Sequence, residues 1–170
     1  LPYASWESAI QALLNLPPDI DINVTNTYDT TSRVVTSSVE IEFLNNLSGT
    51  YNVAVYLTED SIINWQKDYD TNPQDIENYV HRHVLRGALN GTWGELVDPA
   101  PVVNTIYTKS YNLTLDNTWN ENHCSIVAFV YETSSPDNNN EASYEISTPT
   151  SPSTLSTAYA VNGINSSPIL

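Results

Sequence analysis

The sequence predicts a mainly β fold, an antiparallel β-sandwich of the immunoglobulin-like or jelly-roll-like kind with about seven strands. Three observations predict it. Short stretches in which apolar and polar residues alternate recur along the chain, separated by polar turns. The composition is rich in Asn, Ser, Thr and Tyr, and only 15% of the residues are charged. The long crossover helices that a parallel α/β fold requires are missing.

The first predicted elements are a short helix and a hairpin. Apolar residues between Trp6 and Leu14 fall on one helical stripe, which must end before the proline pair that follows. Apolar and polar residues then alternate over 20–24 and again over 38–43, on either side of a polar turn. This alternation predicts two half-exposed strands that pair with each other.

A central strand and an insertion come next. Residues 51–58 are apolar on both faces, which is typical of a strand that is covered on both sides. Asn72-Pro73 indicates a helix N-cap followed by proline in the first turn. The short helix predicted there carries three apolar residues, Ile76, Tyr79 and Val80. We therefore expect a short helical insertion at about 59–95.

The remaining strands and the tail follow from the same patterns. Three more segments are predicted strands: 107–115, 125–131 and 143–146. Residues 147–156 are of low complexity and contain proline, which is typical of a linker or an extended tail. We expect one sandwich domain over 1–146 and a tail over 147–170, since 170 residues suffice for one domain with a real core.

The charge excludes several partners. With 5 basic and 20 acidic residues the formal net charge is -15, so the surface repels nucleic acid and anionic lipid headgroups. No stretch reaches the roughly 20 apolar residues of a membrane-spanning helix. The single cysteine, Cys124, lies in an apolar run and is expected in the core.

The scarce cations are concentrated in the insertion. Three of the five basic residues and two of the three histidines lie between positions 67 and 86. A planar guanidinium pairs well with a carboxylate, and two carboxylates end the central strand. We expect a structural polar network that clamps the insertion against the sheet, formed by Glu59, Asp60, His81, His83 and Arg86.

Two metal sites are alternatives. The His-x-His pair would share a strand face and could bind a metal with Glu59, Asp60 or His123, although Arg82 and Arg86 would repel a dication. Oxygen-bearing side chains also imitate the start of a calcium loop, at Asp68, Asp70, Asn72 and Asp75. Pro73 and Tyr79 stand where an EF-hand needs Gly and Glu, which leaves a looser calcium site or a solvated turn.

No catalytic machinery is apparent. Glu59 and Asp60 are adjacent, and neighbouring strand residues point to opposite faces, so they make a poor pair for glycoside hydrolysis. No Gly-x-Ser-x-Gly elbow and no phosphate-binding glycine loop occur. We expect a protein that is not an enzyme and has no cofactor, a calcium ion being the one candidate.

The aromatic residues are candidates for binding. Eleven Tyr and four Trp could build a carbohydrate platform or anchors at a protein interface, although most are expected in the core. The candidate interaction aromatics near the insertion and loops are Trp65, Trp93 and Trp119.

One set of residues, from the central strand through the insertion, resembles the outer membrane protein 28 family of Gram-negative cell-envelope proteins, many of them lipoproteins. In order, these residues are VYLTED at 55–60, Gln66, Tyr79, His81, HVLR at 83–86 and Trp93-Gly94. The resemblance covers about residues 5–133. Members typically carry a thioredoxin-like half before this region, so the chain looks like their C-terminal sandwich half.

The resemblance implies a location in the envelope, at the outer membrane surface or in the periplasm, with a lipid anchor in a part not present here. Together with the residues, it predicts a non-catalytic accessory or structural module that binds other envelope proteins through the insertion or the tail. The alternative is a carbohydrate-binding module with a structural calcium ion.

Overall fold

One helix and three antiparallel sheets make up the part of the chain that the computed structural model describes, which is residues 6–14, 16–133 and 142–147. The elements are α1 Trp6–Leu14, β1 Ile20–Asp29, β2 Val34–Phe43, β3 Tyr51–Glu59, β4 Ile62–Lys67, β5 Asp75–His81, β6 Val84–Ala88, β7 Glu95–Leu96, β8 Ile106–Thr114, β9 Cys124–Glu132 and β10 Ala142–Ser147. A 3₁₀ turn at Glu121–His123 precedes β9. The predicted mainly β, antiparallel sandwich is confirmed.

The two larger sheets form the sandwich. The first has the order β1-β2-β8, and the second has the order β10-β9-β3-β6, with β7 pairing with β3 beside β6. The alternation that predicted the strands sets the register. In β1 every second residue from Ile20 to Asn26 is buried, and each pairs with a buried residue of β2, as Val24 does with Val39.

The core lies between the two large sheets. Val35 and Ile41 of the first sheet and Leu57 and Ile126 of the second are fully buried in one hydrophobic cluster. Cys124 belongs to the same cluster, as expected. None of the described helices is long and apolar enough to cross a membrane.

The prediction of a helical insertion is wrong, because residues 62–81 form the hairpin β4–β5 and residues 84–88 form β6. Asn72 and Pro73 lie in the hairpin connection, which a hydrogen bond from Asp68 N to Gln74 O closes at 2.8 Å. The described residues therefore contain ten strands instead of about seven, since the insertion contributes strands of its own.

The residues of the expected helix favour a strand for a physical reason. Ile76 and Val80 are β-branched and Tyr79 is aromatic, and such residues pack well on a pleated surface. Tyr79 and Val80 face Asn64 and Ile63 across the hairpin. A helix of so few residues would have been marginal without extensive packing. Of the predicted tail, residues 148–170 lie outside the described residues.

Candidate interaction site

The hairpin β4–β5 stands apart from the sandwich, and we call it the arm (residues 62–81). Among the described residues, its strands pair only with each other. No side chain of the arm belongs to the hydrophobic core. Because an isolated two-stranded hairpin is only marginally stable in water, the way in which the arm is attached decides how firmly it is held.

The first attachment is a buried ion pair under the arm. Glu59 ends β3 and is only 4% exposed. Its Oε2 accepts a hydrogen bond from Arg86 Nε at 2.7 Å. Arg86 lies at the register shift where β6 pairs with Leu57 and Thr58. Bulges of this kind redirect a side chain, and here the bulge coincides with the residue that pairs with Glu59.

The second attachment links the same carboxylate to the loop before β9. Glu59 Oε1 accepts a hydrogen bond from the backbone N–H of Asn120 at 2.8 Å. The Arg86 guanidinium carbon lies 5.7 Å from the centroid of the Trp119 ring, a cation–π arrangement. Both carboxylate oxygens of Glu59 are therefore occupied by donors, as a buried charge requires.

A third attachment ties the two legs of the arm together. His83 adopts a left-handed conformation with φ of 51°. Its backbone N–H donates to Asp60 Oδ1 at 2.5 Å, and its Nδ1 lies 3.4 Å from the same oxygen. Asp60 N also donates to His123 O at 2.9 Å. We call Glu59, Asp60, His83, Arg86 and Trp119 the base cluster.

The base cluster is fixed to the other sheet by Arg33, in the β1–β2 turn. Its guanidinium donates to the carbonyl oxygens of Asp116 and Trp119 at 3.0 and 2.8 Å. It also pairs with Glu121 Oε2 at 3.1 Å. The loop that carries Trp119 and Asn120 is thereby held between both sheets.

The electrostatics of this region favour a fixed structure. A backbone hydrogen bond at Glu121 and then its bond from Arg33 lower the pKa of the Glu121 carboxyl. Burial, followed by the charge of Glu59, raises the pKa of the Cys124 thiol to about 11. That thiol is therefore protonated at neutral pH, in contrast to the thiolate of a nucleophilic cysteine.

His81 is not joined to the base cluster. It lies on the arm opposite Ile62, and its ring contacts that of Tyr79 edge to face, with the centroids 4.9 Å apart. No ion pair connects it to Glu59 or Asp60 within the described residues. The two histidines thus have different surroundings, since His83 sits beyond the arm in a turn.

The carboxylates of the calcium candidates make contacts within the protein. Asp68 Oδ1 accepts the N–H of Asp70 at 2.9 Å, and Asp75 Oδ1 lies 3.5 Å from Lys67 Nζ. In the described part of the chain, no group of three or more His, Cys, Asp or Glu is arranged to hold a metal ion.

The arm exposes apolar side chains on one face. Ile63 and Val80 face each other across the hairpin and are 66% and 41% exposed. Trp65 lies two residues from Ile63 on the same side of β4 and is 52% exposed. At the tip, the Lys67 ammonium lies 5.6 Å from the centroid of the exposed Tyr69 ring. Contiguous exposed apolar groups of this kind mark interaction surfaces.

The three candidate tryptophans occupy three different environments. Trp65 lies on the arm, and Trp93 lies in the loop between β6 and β7 with 77% of its surface exposed. Trp119 is partly buried against the core and under Arg86. Trp119 therefore helps to hold the arm, and Trp65 and Trp93 are the two that face solvent.

Arg33 and Asn120 were missed by sequence reasoning. Arg33 is one of only two cations outside the 67–86 segment, and its isolation among so many carboxylates was the available signal. Asn120 contributes its backbone N–H. Every residue except proline has this group, so the residue type could not identify the position.

One comparison with known proteins gives a match. A family model described as outer membrane protein Omp28 matches residues 2–146, which is most of the chain and includes both large sheets, the base cluster and the arm. No curated protein matches the chain at a significant level.

Proposed function

The chain belongs to the outer membrane protein Omp28 family, and from this premise we propose that it is a non-catalytic module that binds another envelope protein through its arm. Family membership supports a location in the envelope of a Gram-negative bacterium. A lipid anchor in a part outside this chain would hold the module at the outer membrane, on the surface or in the periplasm.

The observation that carries the proposal is the exposed apolar face of the arm, formed by Ile63, Trp65 and Val80. Complete burial of an exposed side chain of this size stabilises a complex by about 1.5–3 kcal/mol. Trp is also, with Tyr and Arg, enriched among the few residues that contribute most of the binding energy of protein interfaces.

The attachment of the arm supports the same function. Glu59 and Arg86 hold its base to the sandwich, and Asp60 and His83 join its two legs. Because the arm is already ordered before it meets a partner, binding costs less conformational entropy than it would with a mobile arm. The base cluster therefore contributes to affinity without contacting the partner.

Charge identifies the kind of partner. The arm carries four carboxylates, Asp68, Asp70, Asp75 and Glu77, against one ammonium group, Lys67. Oppositely charged surfaces steer association, and like charges oppose it. A second copy of a chain with a formal charge of -15 would be repelled. The favoured partner is a protein that surrounds an apolar contact with Lys and Arg.

The surroundings of the reactive side chains support a role without catalysis. Both oxygens of Glu59 are taken by donors of the chain, and the buried Cys124 thiol is protonated at neutral pH. Neither group is poised as a general base or a nucleophile.

Photo-cross-linking in the native envelope tests the proposal. A photoreactive phenylalanine derivative replaces Trp65 in one variant and Ile106, which is 59% exposed on β8, in the control. We expect a discrete cross-linked protein from position 65 and none from position 106. The cross-linked protein, once purified, should bind the wild type more weakly as salt is raised. Equal cross-linking at both positions, or a product made of two copies of this chain, would overturn the proposal.

A further inference from the structure

A second exposed aromatic surface lies on the outer face of the five-stranded sheet, away from the arm. Tyr56 of β3 and Phe129 and Tyr131 of β9 point away from the core and are half-buried. The ring centroids of Tyr56 and Phe129 are 5.6 Å apart, and those of Phe129 and Tyr131 are 6.0 Å apart. These three rings form a continuous aromatic strip.

The loop between β6 and β7 is pinned to one end of this strip. The hydroxyls of Tyr56 and Tyr131 donate to the carbonyl oxygens of Thr92 and Trp93, the second at 2.6 Å. Asn52 Nδ2 donates to the Trp93 carbonyl at 3.3 Å. Three side chains of the sheet therefore donate hydrogen bonds to the backbone at Thr92 and Trp93 and fix its position.

The start of the same loop is fixed to the backbone of β3. Asn90 accepts the N–H of Val55 at 3.0 Å and donates to the carbonyl of Val53 at 2.9 Å, as a neighbouring strand would. Gly94 has φ of 65°, and a Cβ placed there would lie 2.0 Å from Val53 O. The Trp93 side chain, 77% exposed, thus projects from a loop that is firmly fixed.

The strip is also free of charge in a strongly acidic chain. The outward-facing side chains of β3 and β9 include no Asp, Glu, Lys or Arg, although the chain carries 20 Asp and Glu residues. The polar groups on this face are neutral, and they include the hydroxyls of Thr58 and Ser125 and the amide of Asn52. The face therefore matches an uncharged ligand that offers both apolar surface and hydrogen-bonding groups.

We propose that this aromatic strip, formed by Tyr56, Phe129 and Tyr131, binds a neutral oligosaccharide together with the exposed Trp93 side chain of the loop that is fixed to the strip. The C–H face of a pyranose ring stacks on an aromatic ring, and its hydroxyl groups pair with neutral donors and acceptors at the rim. Acidic glycans would meet the repulsion of the whole chain. The site is independent of the arm and would exist whether or not the arm binds a protein.

An oligosaccharide array that holds neutral and acidic glycans, probed with the full chain, tests the proposal. We expect binding to a related group of neutral glycans. Titration calorimetry with the best of them should show at least tenfold weaker binding for Trp93→Ala and near wild-type binding for Trp93→Phe. Trp65→Ala is the matched control on the arm and should bind as the wild type does.

Four outcomes would overturn the proposal. These are no binding on the array, binding to acidic glycans only, equal affinity of Trp93→Ala and wild type, and loss of binding in Trp65→Ala but not in Trp93→Ala. Cross-linking of a protein to position 93 in the envelope, with no glycan bound on the array, would assign the face to a protein instead.

Discussion

Glu59 is the residue on which the attachment of the arm most depends, because it is a buried charge whose two oxygens join three segments of the chain. We expect Glu59→Gln to destabilise the fold by about 2 kcal/mol, since Arg86 would keep its charge without a counter-ion. Arg86 is partly exposed, which places the cost below that of a fully buried pair. Urea unfolding of both proteins measures the difference.

Asp75→Asn provides the matched control for this prediction. It also changes a carboxylate to an amide beside a cation, but the pair of Asp75 with Lys67 is largely exposed and 3.5 Å long. Exposed pairs contribute little, so this variant should unfold as the wild type does. If the two substitutions had equal effects, Glu59 would not have the role assigned to it.

The Cys124 thiol gives a prediction about pH. Burial raises its pKa from the ordinary value of 9.0 to about 11, so the folded chain holds this proton more tightly than the unfolded chain. The resulting stabilisation is complete below pH 9 and declines as the pH rises through about 11. At pH 8, a maleimide should label the native thiol at least about a hundredfold more slowly than the unfolded one. Equal labelling rates would contradict the buried, protonated state.

For single residues, the sequence predicted which charged side chains form the site better than it predicted which groups they contact. It placed Glu59 with Arg86 because two carboxylates end the central strand and a planar guanidinium from the insertion pairs well with a carboxylate. It could not separate His81 from His83, since their difference arises from the positive φ at His83. It also could not find Arg33, whose partners lie more than 80 residues away in the chain.

Among the elements, the arm should be dispensable for folding, since within the described residues its strands pair only with each other and add nothing to the core. We expect the sandwich to fold when residues 62–81 are replaced by Asn-Gly, a pair suited to a tight hairpin turn. Circular dichroism should retain the β signal, and thermal unfolding should stay cooperative with a midpoint within a few degrees of the wild type. An aggregated or uncooperative product would show that the arm belongs to the folding unit.

The β6–β7 loop should be sensitive to one methyl group. Gly94→Ala combines a positive φ with a Cβ that would clash with the backbone of Val53, so we expect a loss of about 2 kcal/mol or more. Gly87→Ala is the control, since a Cβ there meets nothing within 4 Å. Chemical denaturation of both variants checks the contrast, and equal stabilities would mean that the loop is less firmly fixed than we describe.

The sequence predicted the strands of the two large sheets except β6 and β7, which lie within the expected helical insertion. Alternation has a single physical meaning where one face of a strand is buried. The sequence misassigned the arm because neither face of its strands is buried. Both faces of β4 and β5 are largely exposed, so burial imposed no period of two on the residues. A local proline signal then outweighed the β-branched residues Ile76 and Val80, whose cross-strand partners are visible only in the fold.

On the scale of the whole molecule, a stable sandwich carries two exposed aromatic surfaces of different character. The arm is apolar with a rim of carboxylates, whereas the outer face around Trp93 is uncharged. The net charge of -15 opposes self-association, so the purified chain should stay monomeric in sedimentation at low salt. A dimer that persists at low salt would make a second copy the occupant of one of these surfaces.

Quantitative affinity isolation of the protein from its own envelope tests whether the arm binds an envelope protein. Three forms are compared: the wild type, Ile63→Thr on the arm, and Ile106→Thr on β8. Each substitution replaces an exposed, β-branched Ile by a polar residue of similar shape.

We expect one stoichiometric partner with the wild type and with Ile106→Thr. The same partner, once purified, should bind Ile63→Thr at least tenfold more weakly. A wild type that is isolated alone, or a partner that binds Ile63→Thr as tightly as the wild type, would show that the arm is not the binding surface.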